Sequence, residues 1–267
     1  MPKADCELAA YISPGKMTWS VLDAIHHRVI SVVNYQFPKE ENQPVRWQEA
    51  AALLSEAVAG ERFGSVKIAV DTGSNMLVPK ELFAENKISD YLAFSMAEYE
   101  FPVHDFIESI PAFNLYALPG SFLESLRKVF EKFDAYHAAT PFISNILREN
   151  RSSSDSRLFA CFTSDILHLC ALAGGEFAFY NSYPVHTKED FCYYLLAVSE
   201  ELSFHPEEIS VLLSGEITPD SPFCQTAKRF LRNLAFAERP KALKYSSRLE
   251  AVPRHLHSLL YSIHLCA

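Results

Sequence analysis

The sharpest chemical spelling in this sequence is Asp71-Thr72-Gly73-Ser74, which follows the hydrophobic run Val66-Lys67-Ile68-Ala69-Val70 and precedes Leu77-Val78-Pro79. A carboxylate on such a turn can act as base toward water, but hydrolysis by that route needs two carboxylates sharing one proton. The chain has one Asp-Thr-Gly. A homodimer could supply the second on an all-β fold; the helices expected below argue against this, and Gly73 and Ser74 read as residues leaving a strand. His168 and Cys170 alternate along one strand face, as a Cys–His nucleophile pair would, but the hairpin around them is apolar and favours two packed core residues. His255, His257 and His264 fall in a C-terminal stretch read as helix, where His257 and His264 share a face without a third ligand at metal spacing. Six cysteines are scattered without a C-x-x-C pair, so neither a zinc knuckle nor a dithiol redox motif is spelled. No GxGxxG, Walker A, GxSxG or HExxH string occurs. No metal site is expected.

The chain that must position these residues has 267 of them, with 49% hydrophobic, 21% charged and a formal charge of −9. A chain this long buries roughly three-quarters of its unfolded surface in one or two domains of ~100–150 residues. Met1 to Ser13 lacks the apolar stretch of ~7–15 residues of a signal peptide. The most apolar region, Leu158 to Tyr180, is broken by Thr163, Ser164, Asp165 and His168, short of the ~20 apolar residues of a spanning helix. A cytoplasmic protein with reduced, mostly buried thiols is expected. The acidic balance argues against general nucleic-acid binding, yet Lys228, Arg229, Arg232, Arg239, Lys241, Lys244, Arg248 and Arg254 face only Glu238 and Glu250 across their stretch. That tract could meet RNA, a phosphoprotein or an acidic partner, or be the solvated face of ordinary helices.

Along the chain, Leu8 to Phe37 reads as three strands divided by Pro14-Gly15 and by a polar turn at His26-His27. A helix from about Arg46 to Ala59 follows, with Trp47, Ala51, Leu54 and Val58 on one face and Gly60 as left-handed C-cap. Ser65 to Asp71 is a buried strand. The order returns after Asn150 to Asp155: three strands over Arg157 to Tyr183, a helix from Thr187 to about Ser203 opened by a Thr187-x-x-Asp190 capping box, and a strand at Ile209 to Gly215. Each half then closes with helices and one more strand. In the first, Phe113 to Pro119 should be a strand, a Ser121-x-x-Glu124 box should start a helix, Ala135 to Pro141 should be a further strand, and Phe142 to Glu149 a short helix. In the second, Phe223 to Leu234 and Val252 to Leu265 should be helical. Residues 76–113 do not repeat and read as an inserted helix and hairpin. The expectation is an α/β protein with a mixed sheet in each half, 1–150 carrying the insert and 156–267 forming the second half.

The strings VKIAVDTGSNMLVPKELF, DYLAFSM, FNLYALPGSFLESLRKVF and HAATPFISNIL, then FACFTSDILHLCAL, FYNSYPVHTKEDFCYYLL, VLLSGEI and HLHSLLYSIHLC, together resemble a bacterial (Bacteroidetes-type) family, domain of unknown function 3822, over nearly the whole chain. The resemblance implies the actin-like ATPase fold, with two ribonuclease-H-like halves, and a layout similar to pilus and secretion assembly proteins. It assigns no activity.

Actin-like ATPases place Asp-x-Gly in the first hairpin of each half, where backbone amides receive phosphates and the Asp holds hydrated metal. The resemblance therefore points to Ile12-Ser13-Pro14-Gly15-Lys16 and Phe162-Thr163-Ser164-Asp165-Ile166, and to Leu213-Ser214-Gly215-Glu216 at the adenosine loop. Neither hairpin keeps Asp-x-Gly, and Pro14 has no N–H to donate. Gly15, Lys16, Thr163, Ser164, Asp165, Ser214 and Gly215 are candidate nucleotide or anion contacts, with no catalytic residue assigned and ATP and magnesium as the only cofactors left open. The leading expectation is a degenerate, non-catalytic scaffold with a protein partner at the insert or the cleft between halves. The alternatives are a phosphotransferase or hydrolase using Asp71, Asp165 or Glu216, and an anionic-partner module using the basic tract. In the insert, Tyr91, Phe94, Tyr99, Phe101, Phe106 and Ile107 form the candidate partner surface.

Overall fold

The computed structural model describes residues 5–38, 47–94, 100–163 and 165–266. The chain divides into two compact units, one comprising Met1–Ser144, Ala242–Ala251 and Leu260–Ala267, the other Asn145–Lys241 and Val252–Leu259. Residues 242–251 and 260–267, assigned to the second half on sequence, therefore pack with the first unit.

The first unit is built on a six-stranded mixed sheet of order β14-β3-β2-β1-β4-β8. Its strands are β1 (Cys6–Ser13), β2 (Lys16–Asp23), β3 (Arg28–Gln36), β4 (Ser65–Val70), β8 (Asp134–His137) and β14 (Lys244–Tyr245). β1 to β3 form an antiparallel meander, and β4 and β8 extend it in parallel from β1. The alternation along β1 decides what each face meets. Leu8, Ala10 and Ile12 point into an apolar core with Trp47, Ala51 and Leu54 of α1 (Trp47–Ala57) and Phe122 and Leu126 of α3 (Gly120–Val129). Glu7, Ala9, Tyr11 and Ser13 point the other way.

The insert is a second, three-stranded antiparallel sheet of order β5-β7-β6, made by β5 (Met76–Pro79), β6 (Phe101–Ile107) and β7 (Ala112–Leu118), with a short helix α2 (Ile88–Leu92) packed on it. A helix and a hairpin are present as expected, but the hairpin's second arm is β7, so the insert runs to Leu118 rather than ending at 113, and β5 is an added strand.

The second unit repeats the arrangement in a sheet of order β11-β10-β9-β12-β13: β9 (Arg157–Thr163), β10 (Ile166–Ala173), β11 (Glu176–Pro184), β12 (Ser210–Gly215) and β13 (Asn233–Phe236). Leu158, Ala160 and Phe162 face α5 (Lys188–Glu201) and α6 (Pro222–Ala227). The capping box at Thr187 forms in both directions, Thr187 accepting from Asp190 N–H and the Asp190 carboxylate from Thr187 N–H at 3.0 Å.

Four local expectations change. α3 has Pro119 at its N-cap without a side-chain cap; Gly120 N–H instead donates to the Glu100 carboxylate at 2.9 Å, so a residue distant in sequence does what Ser121 was expected to do. α4 (Ala139–Asn150) starts three residues early, with Pro141 in the first turn where its missing N–H costs nothing. α6 stops at Ala227, because the chain turns to deliver β13 in parallel register with β12. The terminal helix shrinks to α7 (Ser258–Ile263), which includes neither His257 nor His264, so their expected shared helical face does not exist.

Candidate functional site

In open α/β sheets the loops at the carboxyl ends of the parallel strands form ligand sites. In the first unit those loops follow β1 and β4. Pro14 and Gly15 close a two-residue hairpin in which the Gly15 carbonyl accepts Phe37 N–H at 3.0 Å and Ser13 Oγ donates to the Lys16 carbonyl at 3.3 Å. Lys16 is buried and its ammonium stands over the Tyr11 ring, 5.4 Å from the centroid. The Tyr11 hydroxyl in turn donates to Asp71 Oδ2 at 2.7 Å, and Gly73 N–H reaches Oδ1 at 3.3 Å. Asp71 is 0% exposed. The Asp-Thr-Gly turn thus faces inward, onto Tyr11.

The same sheet face carries a second polar group that sequence reading missed. His264 Nδ1 lies 2.7 Å from Glu7 Oε1, and its Nε2 is 2.8 Å from Ser20 Oγ. Lys67 Nζ is 3.2 Å from Glu7 Oε2 and donates to the carbonyls of Cys266 at 2.6 Å and His264 at 3.3 Å. Burial pushes the His264 imidazole below its ordinary range. Burial also opposes ionisation of Glu7, but His264 and Lys67 outweigh it and hold the carboxyl low. His264 Nδ1 therefore faces the Glu7 carboxylate, to which it donates, and Nε2 meets the Ser20 hydroxyl. The serine–histidine–carboxylate order is that of a nucleophilic triad. Ser20, however, is 0% exposed, so no substrate can reach its oxygen and the group anchors the C-terminal segment to the sheet.

A third polar group ties the insert to its parent sheet. Asp105 on β6 accepts from Tyr116 OH, His137 N–H and Thr140 Oγ1, each at 2.8 Å. Asn114 Nδ2 donates to Thr140 Oγ1 at 3.0 Å, and Asn75 Nδ2 to Asn114 Oδ1 at 2.7 Å. Burial pushes the Asp105 carboxyl up to about 7 against those donors.

In the second unit the hairpin between Thr163 and Ile166 is again two residues long, and the Asp165 carbonyl accepts Val185 N–H at 2.8 Å. Asp165 is exposed; Ser164 lies outside the described residues. Thr163 is buried, with Oγ1 3.5 Å from His168 Nε2, whose Nδ1 meets Tyr180 OH at 2.9 Å. Cys170 is sealed in the sheet, and burial pushes its thiol far up, so the His168–Cys170 pair is core. Ser214 is buried, with Oγ 3.5 Å from the Ala160 carbonyl. Gly215 has φ +84°, and a Cβ there would stand 2.1 Å from the Phe162 carbonyl oxygen. Its N–H donates to the His255 carbonyl at 2.8 Å, and Glu216 N–H donates to Phe162 O at 2.7 Å. His255 closes the loop from outside, its Nε2 2.8 Å from the Ile217 carbonyl and its ring 4.4 Å from that of Phe236.

The basic tract does not form one surface of one unit. Lys244 and Arg248 belong to the first unit, Lys228, Arg229, Arg232, Arg239, Lys241 and Arg254 to the second. Arg232 pairs with Glu207 at 3.7 Å, Arg254 with Glu238 at 2.8 Å, and Arg239 donates to the Val252 carbonyl at 2.7 Å. Of the insert residues, Phe94 (86%), Phe101 (48%) and Phe106 (40%) are exposed, Ile107 is buried, the Tyr91 hydroxyl donates to the Leu82 carbonyl, and Tyr99 lies outside the described residues.

A family profile described as "Protein of unknown function (DUF3822)" matches residues 2–234. The chain belongs to the DUF3822 family. No curated protein matches it. Among solved structures, this DUF3822 chain is similar to a Bacteroides thetaiotaomicron protein described as having an actin-like ATPase fold and unknown function (TM-score 0.78, 15% identity, 99% of this chain and 97% of that one). It is also similar to a chain of a PilM-PilN type IV pilus biogenesis complex (TM-score 0.64, 14% identity, 99% and 97%) and to the ethanolamine utilization protein EutJ of Carboxydothermus hydrogenoformans (TM-score 0.51, 8% identity, 97% and 90%). At these identities the likeness shows the fold: DUF3822 here is an actin-like α/β protein.

That fold implies Mg–ATP, and the described residues of the loops after β1, β4 and β12 do not fit it. A phosphate-gripping turn needs amides aimed outward. Here Pro14 has no amide, Gly215 and Glu216 direct theirs to internal carbonyls, and Asp71, which follows the central parallel strand, is sealed against Tyr11. Among the described residues no group of three or more His, Cys, Asp or Glu is placed to hold a metal ion. No described helix is long and apolar enough to cross a membrane.

Proposed function

We propose that this DUF3822 protein is a degenerate actin-like ATPase that serves as a binding or assembly scaffold and does not turn nucleotide over. The observation that supports it is the closure of the LSGE loop: Gly215 and Glu216 donate to His255 O and Phe162 O, and the close approach of Phe162 leaves no room even for a β-carbon. Removing amide donors and metal ligation each removes several kcal/mol of transition-state stabilisation, about 10²–10³ in rate per donor. A similar fold occurs in a complex of two pilus biogenesis proteins, which supports a partner-binding role for the scaffold.

A phosphate-release assay with ATP and magnesium tests the reading. No release above the protein-free rate is expected. Turnover that disappears in Asp165→Ala would overturn it, because Asp165 is the exposed carboxylate of the second hairpin.

A further inference from the structure

On the first unit, away from the loops after β1 and β4, lies a groove of about 1360 Å³. Its walls are the end of α1, the loop Glu61 to Gly64, the start of β4, the outer strand β6 of the insert sheet, and the stretch from the end of α3 to the start of β8. Small-molecule pockets are typically ~300–1,000 Å³ and enclosed, so this volume suits a polypeptide segment better. Its lining mixes polar and apolar groups: Val58, Val66, Leu123 and Phe130 lie at its base, mostly buried, while Phe101 and Val103 from β6 offer apolar surface on one side.

The rim is cationic. Arg62, Arg127, Lys128 and Lys132 are exposed, and none of the four makes an ion pair among the described residues. Arg127 and Lys128 complement the carboxyl end of α3, which keeps positive charge there favourable whether or not a ligand is present. Glu61, Glu131 and Asp134 also line the groove, yet four cations against three carboxylates is a local reversal in a chain of net charge −9. Unpaired cations around a lining that includes apolar groups complement acidic residues flanking apolar anchors.

We infer that this groove docks an acidic segment of a partner protein, with aromatic or aliphatic side chains seated between Phe101, Val103 and Phe130 and carboxylates meeting Arg62, Arg127, Lys128 and Lys132. The inference rests on the scaffold reading only in requiring a partner; the groove is separate from the phosphate loops.

The test is selection from a displayed random-peptide library on the full chain, followed by affinity measurements of the selected peptides on the wild type and on Arg62→Glu, Lys132→Glu and the double variant. The expected winners are rich in Asp and Glu beside Phe, Leu or Trp, bind more weakly as salt rises, and lose roughly fivefold in affinity per reversal, more in the double variant. Both substitutions are at exposed positions, and an unchanged melting temperature confirms that the variants fold. Basic or neutral winners, no winners, or winners that bind the double variant equally well would overturn the inference. Sedimentation with phosphatidylserine vesicles is run in parallel, and vesicle binding abolished by the same reversals would replace the peptide with a membrane surface. Nucleotide turnover with the groove result intact would sink the scaffold reading alone.

Discussion

Asp71 follows β4 in the first unit and Glu216 follows β12 in the second, and each donates its N–H to the next-to-last residue of the adjoining strand, Ile12 at 2.8 Å and Phe162 at 2.7 Å. The correspondence extends outward. Both central hairpins have two-residue turns, and in both the second turn residue accepts an N–H from just beyond the third strand or its end, Phe37 to Gly15 and Val185 to Asp165. Both third strands carry a bulge at their third residue, Ile30 in β3 and Ala178 in β11. The faces turned away from the α1/α3 and α5/α6 cores differ. At matching register the first unit has Glu7, Tyr11, Ser20 and Lys67 where the second has Arg157, Cys161, Cys170 and Leu212. A shared backbone plan with such divergent inner faces is what two copies of one ancestral unit would leave once neither needed to hold phosphate; we offer that descent as a proposal.

The comparison can be broken by glycine replacement. Gly215→Ala forces a β-carbon onto the Phe162 carbonyl in a left-handed backbone and should cost about 4 kcal/mol or more. Gly60→Ala has a similar φ, +79°, and open space, so about 1 kcal/mol is expected by urea denaturation. Equal costs would mean that the second loop is looser than described.

Glu7 and Arg157 sharpen the contrast between the inner faces. Glu7→Ala leaves Lys67 and His264 without their carboxylate in a buried site and should cost ~3 kcal/mol. Arg157→Ala removes a pair with the exposed Asp155 and a hydrogen bond to Asn150 at 3.2 Å, and should cost about 1 kcal/mol.

Asp105 gives a pH dependence of known sign. Its folded carboxyl titrates near 7, well above the unfolded value, so the native state keeps a proton that the unfolded chain releases. Its contribution is therefore full below the unfolded carboxylate range and is lost as pH rises through 7, with a slope of up to roughly 1.4 kcal/mol per pH unit between those points. Asp105→Asn should flatten that part of the stability curve, as followed by denaturation at successive pH values.

Much of this was legible in the sequence, and the reason is local. β1 to β3 and β9 to β11 announce themselves through β-branched and aromatic runs cut by Pro14-Gly15 and Gly174-Gly175, and Thr187-x-x-Asp190 marks the start of α5. The two central hairpins that the family resemblance singles out were placed by the same local signals. What escaped depends on distant partners. His264 and Glu7 are 257 residues apart, Asp105 draws donors from β7, β8 and α4, and Glu100 caps α3 from 20 residues away. The one local hint at Asp105 is an acid inside strand β6, whose other residues except His104 are apolar. Likewise α6 ends where β13 must reach its register beside β12, a tertiary demand that helical periodicity cannot reveal.

Small effects are also expected at Ser20 and Cys170, which occupy matching register. Ser20→Ala removes one hydrogen bond to His264 and should cost ~1 kcal/mol, while Cys170→Ala leaves a small apolar cavity at a similar cost. Neither should alter any nucleotide response, which differential scanning with and without Mg–ATP would check.

Isothermal titration of Mg–ATP into the intact chain tests the closed-loop account most directly. The account predicts no saturable heat up to millimolar nucleotide, in the wild type and in Asp71→Asn alike. Saturable binding with a defined stoichiometry, weakened by Asp165→Ala, would show that the loops still hold triphosphate and would contradict it.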